Sequence, residues 1–181
     1  KGGSINLIGD NSTVSKSKFE MVSAKVAGGA IYATGKNINI TDSTFSRCNV
    51  TMKDESGHIY GGGAVFVEGI NARISNCTFN QTHAQVGGTI YIQGNNATVD
   101  NSTSSMTYAT KGGAIYILGQ YANITNSNLS MSNATISGGA IYIDGIHASV
   151  INSTFSDTVA RSSSGYVNTN LGGAIYITGN N

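Results

Sequence analysis

The sequence has no tryptophan and no proline, and only two cysteines, Cys48 and Cys77. Two cysteines make no disulfide framework. Charge is sparse too, with 10% charged residues and a formal net charge of +1. No basic block stands out, which argues against nucleic acid as a partner. Long apolar runs are missing as well. Ala114-Ile115-Tyr116-Ile117-Leu118 is typical of those present, whereas a membrane helix needs roughly 20 residues. The chain starts at Lys1 with neither initiator Met nor leader, and is expected to be a mature or excised piece.

Gly, Ser, Thr and Asn dominate the polar residues, a composition that points to an extracellular, cell-surface location. Asn-x-Ser/Thr sequons occur eleven times. Asn11, Asn39, Asn49, Asn80, Asn96, Asn123, Asn128 and Asn133 are the candidate N-glycosylation sites of a glycoprotein. A chain this rich in Asn, Ser and Thr also makes sequons by chance. The sequons at Asn76, Asn101 and Asn152 have a competing structural role, given below.

Internal repetition carries most of the information. A Gly-Gly pair begins at Gly2, Gly28, Gly62, Gly87, Gly112, Gly138 and Gly172, with spacings of 26, 34, 25, 25, 26 and 34. The basic period is therefore 25 or 26, and two repeats carry eight or nine extra residues. Seven positions after each first Gly stands another: Gly9, Gly35, Gly69, Gly94, Gly119, Gly145 and Gly179. Two apolar columns lie between, running through Ile31, Val65, Ile90, Ile115 and through Ala33, Val67, Ile92, Ile117. Their spacing of two is the strand period. Further columns hold Val14, Ile40, Ile74, Val99, Ile124 and Phe19, Phe45, Phe79, Ser104, Leu129, Phe155.

Ile, Val, Tyr and Thr with clustered Gly, Asn and Ser favour strands and turns over helices. The period is too short for a propeller blade and lacks the Leu/Asn signature of a leucine-rich repeat. The expected fold is all-β: a parallel β-helix (solenoid), right-handed by the crossover rule. One domain spans 1–181, with about six coils of 25–26 residues plus a partial seventh. A coil perimeter of roughly 80 Å leaves room for an Ile/Val/Phe core. The two loop insertions fall near Asn49 to Gly61 and Ala160 to Leu171 and are expected on one side of the solenoid.

Alternation puts Ile31, Ala33, Ile115 and Ile117 inward, and Ala30, Tyr32, Ala114 and Tyr116 outward. The glycines seven positions on are expected at a corner, through positive φ or close coil approach.

Gly-Gly-Ala-Ile-Tyr, at Gly28–Tyr32, Gly112–Tyr116, Gly138–Tyr142 and Gly172–Tyr176, resembles the repeat of adhesin-like surface proteins of methanogenic archaea. It is also similar to the Gly-Gly-Ala-Ile repeats of chlamydial polymorphic outer-membrane proteins. The chlamydial Phe-x-x-Asn element is missing, since Phe45 is followed by Ser46-Arg47-Cys48 and Phe79 by Asn80-Gln81-Thr82. The resemblance covers essentially the whole chain and implies a right-handed β-helix at a cell surface, with attachment as its role.

The expected function is that of an extracellular structural or adhesive stalk or filament subunit. Its partners would be further copies, end to end or along an aromatic stripe, and glycans or proteins of a partner cell. No cofactor is called for.

Polysaccharide lyases and hydrolases also use β-helices, and need carboxylates roughly 5 to 9.5 Å apart. Glu68 and Asp144 alone share a strand-face column, but three coils apart, roughly 14 Å. His58, His83 and His147 share no column, which argues against a metal site. The expectation is not an enzyme. An ice-binding face would need a regular Thr array; Thr44, Thr78, Thr103 and Thr154 share a column that Lys18 and Asn128 interrupt.

Three other columns invite a role. Tyr32, Phe66, Tyr91, Tyr116, Tyr142 and Tyr176 form the candidate binding stripe, expected to be at least partly exposed, with self-stacking as the alternative role. Lys16, Asp42, Asn76, Asn101, Asn126 and Asn152 suggest a side-chain amide ladder. Cys48 and Cys77 fall in different columns and are expected as separate thiols.

Overall fold

A computed structural model of the chain describes residues 1–51, 60–161 and 172–179. The repeats stack as the coils of a parallel β-solenoid, with no helix among the described residues. Three sheets run the length of the stack. The first has seven strands, from Ile5–Leu7 through Ile31–Ala33 and Ile115–Leu118 to Ile175–Thr178. The second has six, from Thr13–Ser15 to Ser149–Ile151, and the third runs from Lys18–Glu20 to Thr154–Ser156. Every pairing is parallel, and equivalent repeat positions pair: Ile90 with Ile115, Val99 with Ile124, Phe45 with Phe79.

Between the strands the chain turns by left-handed backbone at fixed positions. Asn11, Lys16 and Met21 have φ of 56°, 49° and 53°, and their equivalents in the next five coils repeat this. Such residues cost most side chains roughly 1–2 kcal/mol, and Asn least. That is why Asn fills so many of these corners. The first Gly of each pair from Gly28 onward supplies a fourth left-handed turn, at φ of 57° in Gly28. The glycines seven positions on are not left-handed. From Gly35 onward they are required by close approach, since a Cβ on Gly35 would lie 2.2 Å from the Gly9 carbonyl oxygen.

The main core is filled as the periodicity predicts. Ile31, Ala33, Ile115 and Ile117 are buried in it, and Phe19, Phe45 and Phe79 stack at centroid spacings of 4.8 Å. Two expectations fail here. Ala30 and Ala114 do not point outward but lie in the core without exposed surface. The Ala30 carbonyl accepts both the Ser4 and Ile5 N–H groups, so strict alternation starts only after it.

The second failure is the aromatic column. It does leave the main core, as expected, but does not reach solvent. Tyr91 is 0% exposed, and Tyr32, Phe66, Tyr116 and Tyr142 are also buried. The segment before the Gly-Gly pairs at Gly28, Gly62, Gly87, Gly112 and Gly138 folds over that side of the first sheet. Ala27, Gly61, Val86 and Lys111 bridge from coil to coil there, and Ala27 and Val86 pack with the rings as a second apolar cluster. These coils are thus two-layered.

The insertions are narrower than the spacing suggests. Asn49–Val50 and Val159–Ala160 are strands, and Gly61 bridges its neighbours, so these residues belong to the coils. What remains of both insertions, residues 52–59 and 162–171, lies outside the described residues. Their points of departure match: Asn49, His83, Tyr108, Asn133 and Val159 form one parallel ladder.

Candidate functional site

The aromatic column is continuous. Tyr32 stacks on Phe66 at 5.3 Å, Phe66 and Tyr91 meet edge to face at 4.7 Å, and Tyr116 stacks on Tyr142 at 4.8 Å. Tyr176 ends it, tilted against Tyr142 at 5.0 Å and half-buried. Burial pushes the Tyr32, Tyr91, Tyr116 and Tyr142 phenols above their ordinary pKa. They therefore stay neutral through the physiological range. From Tyr32 to Tyr142 the rings are enclosed and form no open aromatic stripe.

At its Tyr32 end this column borders an open cleft. A cleft of about 320 Å³ is lined by Lys1, Val26, Ala27, Tyr32, Tyr60, Phe66, Glu68 and Gln93. Tyr32 Oη donates to Glu68 Oε1 and accepts from Lys1 Nζ at 2.8 Å. Lys1 Nζ lies 3.7 Å from Glu68 Oε1. The hydrogen bond from Lys1 to Tyr32 is the main cause that raises the Lys1 pKa. Deeper in, Gln93 Nε2 donates to Tyr91 Oη at 2.7 Å. Glu68 is thus held by a phenol and an ammonium. Asp144, at the same repeat position, accepts from Thr178 Oγ1 at 3.1 Å.

The amide ladder is present, with one change. Asn76 Nδ2 donates to Asp42 at 3.1 Å, Asn101 to Asn76 at 2.8 Å and Asn152 to Asn126 at 2.7 Å. Asn126 turns instead to Asp100 Oδ1 at 3.0 Å, where a carboxylate offers a stronger acceptor than an amide. Thr125 and Asn126 together hold the Asp100 carboxyl below its usual pKa. A second ladder, which the sequence reading missed, links Asn11, Asn37, Asn71 and Asn96 at 2.8 to 3.0 Å. Its signal is present in the sequence, since these residues stand nine positions after the first Gly of four successive repeats.

These ladders sort the sequons. Asn96 commits its Nδ2 to Asn71, and Asn76, Asn101 and Asn152 commit theirs as described. Asn11 is exposed, and its Oδ1 accepts from Asn37. Asn123 accepts from Ser149 Oγ at 2.7 Å. Asn39, Asn49 and Asn80 are half-buried, and the Asn39 and Asn80 Oδ1 atoms are enclosed without a partner. Asn128 and Asn133 are exposed on the strand Asn128–Ser137.

A serine column also went unread. Ser17, Ser43, Ser102, Ser127 and Ser153 share one repeat position with Cys77. The Ser102 N–H donates to Ser127 Oγ and the Ser127 N–H to Ser153 Oγ, each at 3.2 Å. Each hydroxyl also donates to a carbonyl two residues back, as from Ser127 to Thr125. Cys48 and Cys77 are both free and buried, as separate thiols, and burial pushes each up to about 11. The Thr column is exposed at Thr44, Thr78, Thr103 and Thr154, with Lys18 and Asn128 in register between them.

Among the described residues no three His, Cys, Asp or Glu side chains form a group able to hold a metal. No helix of the described residues is long and apolar enough to cross a membrane. By its fold the chain is a parallel β-solenoid. Beyond that class, no protein-family model, no curated protein and no solved structure matches it.

Proposed function

We propose that this chain is a rigid structural and adhesive element of a cell surface, a stalk or filament subunit of the adhesin-like kind its repeat resembles. The observation that carries this reading is the unbroken parallel register from Ile5 to Thr178. Function in such a scaffold is added on loops that a rigid frame holds in place. Both insertions leave from one ladder, at Asn49–Val50 and Val159–Ala160, so whatever they carry is offered along one edge. An extracellular setting accords with the Asn/Ser/Thr-rich composition and with two exposed sequons outside the ladders, Asn128 and Asn133.

Further copies meeting end to end, and glycans or proteins of a partner cell, are its expected contacts. The test is retention of the purified 181-residue chain on cells and glycan-coated surfaces, with electron microscopy of its assembly state. Retention, or filaments, is expected. Release of sugars from a polysaccharide without retention would overturn the reading.

A further inference from the structure

We propose that the cleft at Tyr32 and Glu68 is a receptor for a primary ammonium group, and that its ligand is a lysine side chain presented by a partner polypeptide. The inference rests on the adhesive reading and supplies its chemistry at one site.

The chain shows how such a ligand sits. Lys1 Nζ donates to Tyr32 Oη at 2.8 Å, lies 3.7 Å from Glu68 Oε1 and 4.7 Å from the Tyr32 ring centroid. Tyr32 Oη spends its own proton on Glu68, so its lone pairs are left for the ammonium. Tyr32 is buried and stacked on Phe66, which fixes the acceptor before any ligand arrives. An ammonium beside an aromatic ring gains about 0.5–1 kcal/mol at an exposed site and more when desolvated.

The resident is replaceable. The Lys1 and Glu68 side chains are 54% and 36% exposed, and so open an ion pair contributes little. Lys111 repeats the ring contact, 5.0 Å from the Tyr142 centroid, but there Asp144 is engaged by Thr178. Among the described residues, the Tyr32 cleft joins ring, phenol oxygen and an ion-paired carboxylate, which the Tyr142 site does not. A sugar fits less well, because it brings no positive charge to meet Glu68 and the Tyr32 oxygen. Lys1 competes as a tethered occupant, so a partner's lysine binds the parent chain more weakly by the fraction of cleft left open.

The test titrates the 181-residue chain and its Lys1→Ala variant with Nα-acetyl-lysine N-methylamide, followed by calorimetry and by NMR shifts of the Tyr32 ring. Lys1→Ala is expected to bind several-fold more tightly than the parent. Adding Glu68→Gln should abolish binding while Glu68→Asp keeps part of it, and the norleucine analogue should not bind. Absence of binding to Lys1→Ala, equal binding of norleucine, or preference for a methyl glycoside overturns the proposal. Surface retention of Lys1→Ala/Glu68→Gln separates the two readings. Retention without lysine binding in Lys1→Ala leaves the adhesive reading and removes this site.

Discussion

The backbone N–H of Cys77 donates to Ser102 Oγ at 3.2 Å, across the contact between two coils. Cys77 itself stands where five other coils place serine, and its Sγ donates to the Ser75 and Ile40 carbonyls at 3.3 and 3.6 Å. Sulfur is a weak acceptor, so the Ser43 N–H faces the poorest partner of the column. Cys77→Ser is expected to be neutral or stabilising, within about 1 kcal/mol, as one neutral hydrogen bond allows. Urea unfolding of the variant checks this.

The two thiols also set an alkaline limit. In the unfolded chain they ionise near pH 9, whereas burial holds them near 11 in the fold. Their raised pKa stabilises the unfolded state progressively as pH climbs from about 9 to about 11, and has no effect below that window. The buried tyrosines, also raised, add to the loss above pH 10. Melting temperature should be flat to pH 8.5 and then fall. Cys48→Ser/Cys77→Ser should flatten the first part of the fall; an unchanged slope would clear the thiols of any part in it.

Ile115 is 1% exposed in the main core. Ile115→Asp buries an unpaired charge, and is expected to cost more than about 4 kcal/mol and leave the chain unfolded. Circular dichroism of the purified variant decides it.

Ser104 interrupts the column of Phe19, Phe45 and Phe79, and the gap is met by hydroxyls: Thr89 Oγ1 lies 3.0 Å from Ser104 Oγ and 2.6 Å from Thr82 Oγ1. Thr89 occupies a position where neighbouring coils have Ala64 and Ala114. Ser104→Phe alone should destabilise by overpacking against Thr89, while Ser104→Phe/Thr89→Ala should recover at least the parental stability. A double-mutant cycle in denaturant reads the coupling, and additive single effects would mean the two sites do not share this space.

Gly119 has an ordinary φ, yet a Cβ there would lie 2.4 Å from the Gly94 carbonyl oxygen. Gly119→Ala should therefore destabilise by several kcal/mol although alanine's backbone preferences are met. A thermal shift smaller than that of an exposed Gly→Ala would show that the coils can part there.

Period-two spacing was enough to place Ile115 and Ile117, because it reports which side of a strand a residue takes. It could not report what covers the other side. Alternation alone therefore places Tyr91 and Tyr116 toward solvent, whereas the chain before the Gly-Gly pairs from Gly28 to Gly138 returns as a second layer. That layer has no strong pattern of its own: Ala27, Gly61, Val86, Lys111 and Ser137 share a ladder but no chemistry. The Tyr32 and Glu68 cleft was half legible. Tyr32 belonged to a visible column, but Lys1 and Glu68 are 67 residues apart and meet only because the coils stack.

The side-chain columns matter most when the solenoid is pulled. Backbone hydrogen bonds between coils, such as Ile31 to Ala64 and Thr98 to Ala72, all point along the stacking axis. Tension along that axis loads them end-on, so they part rung by rung, as a zipper does. Stacked rings and amide ladders run across the same rungs at several positions, and stiffen the rungs they cross against opening alone. Sideways load is shared by a whole coil at once. Such a body resists bending and shear better than extension, and would bear force best when pressed or pushed aside.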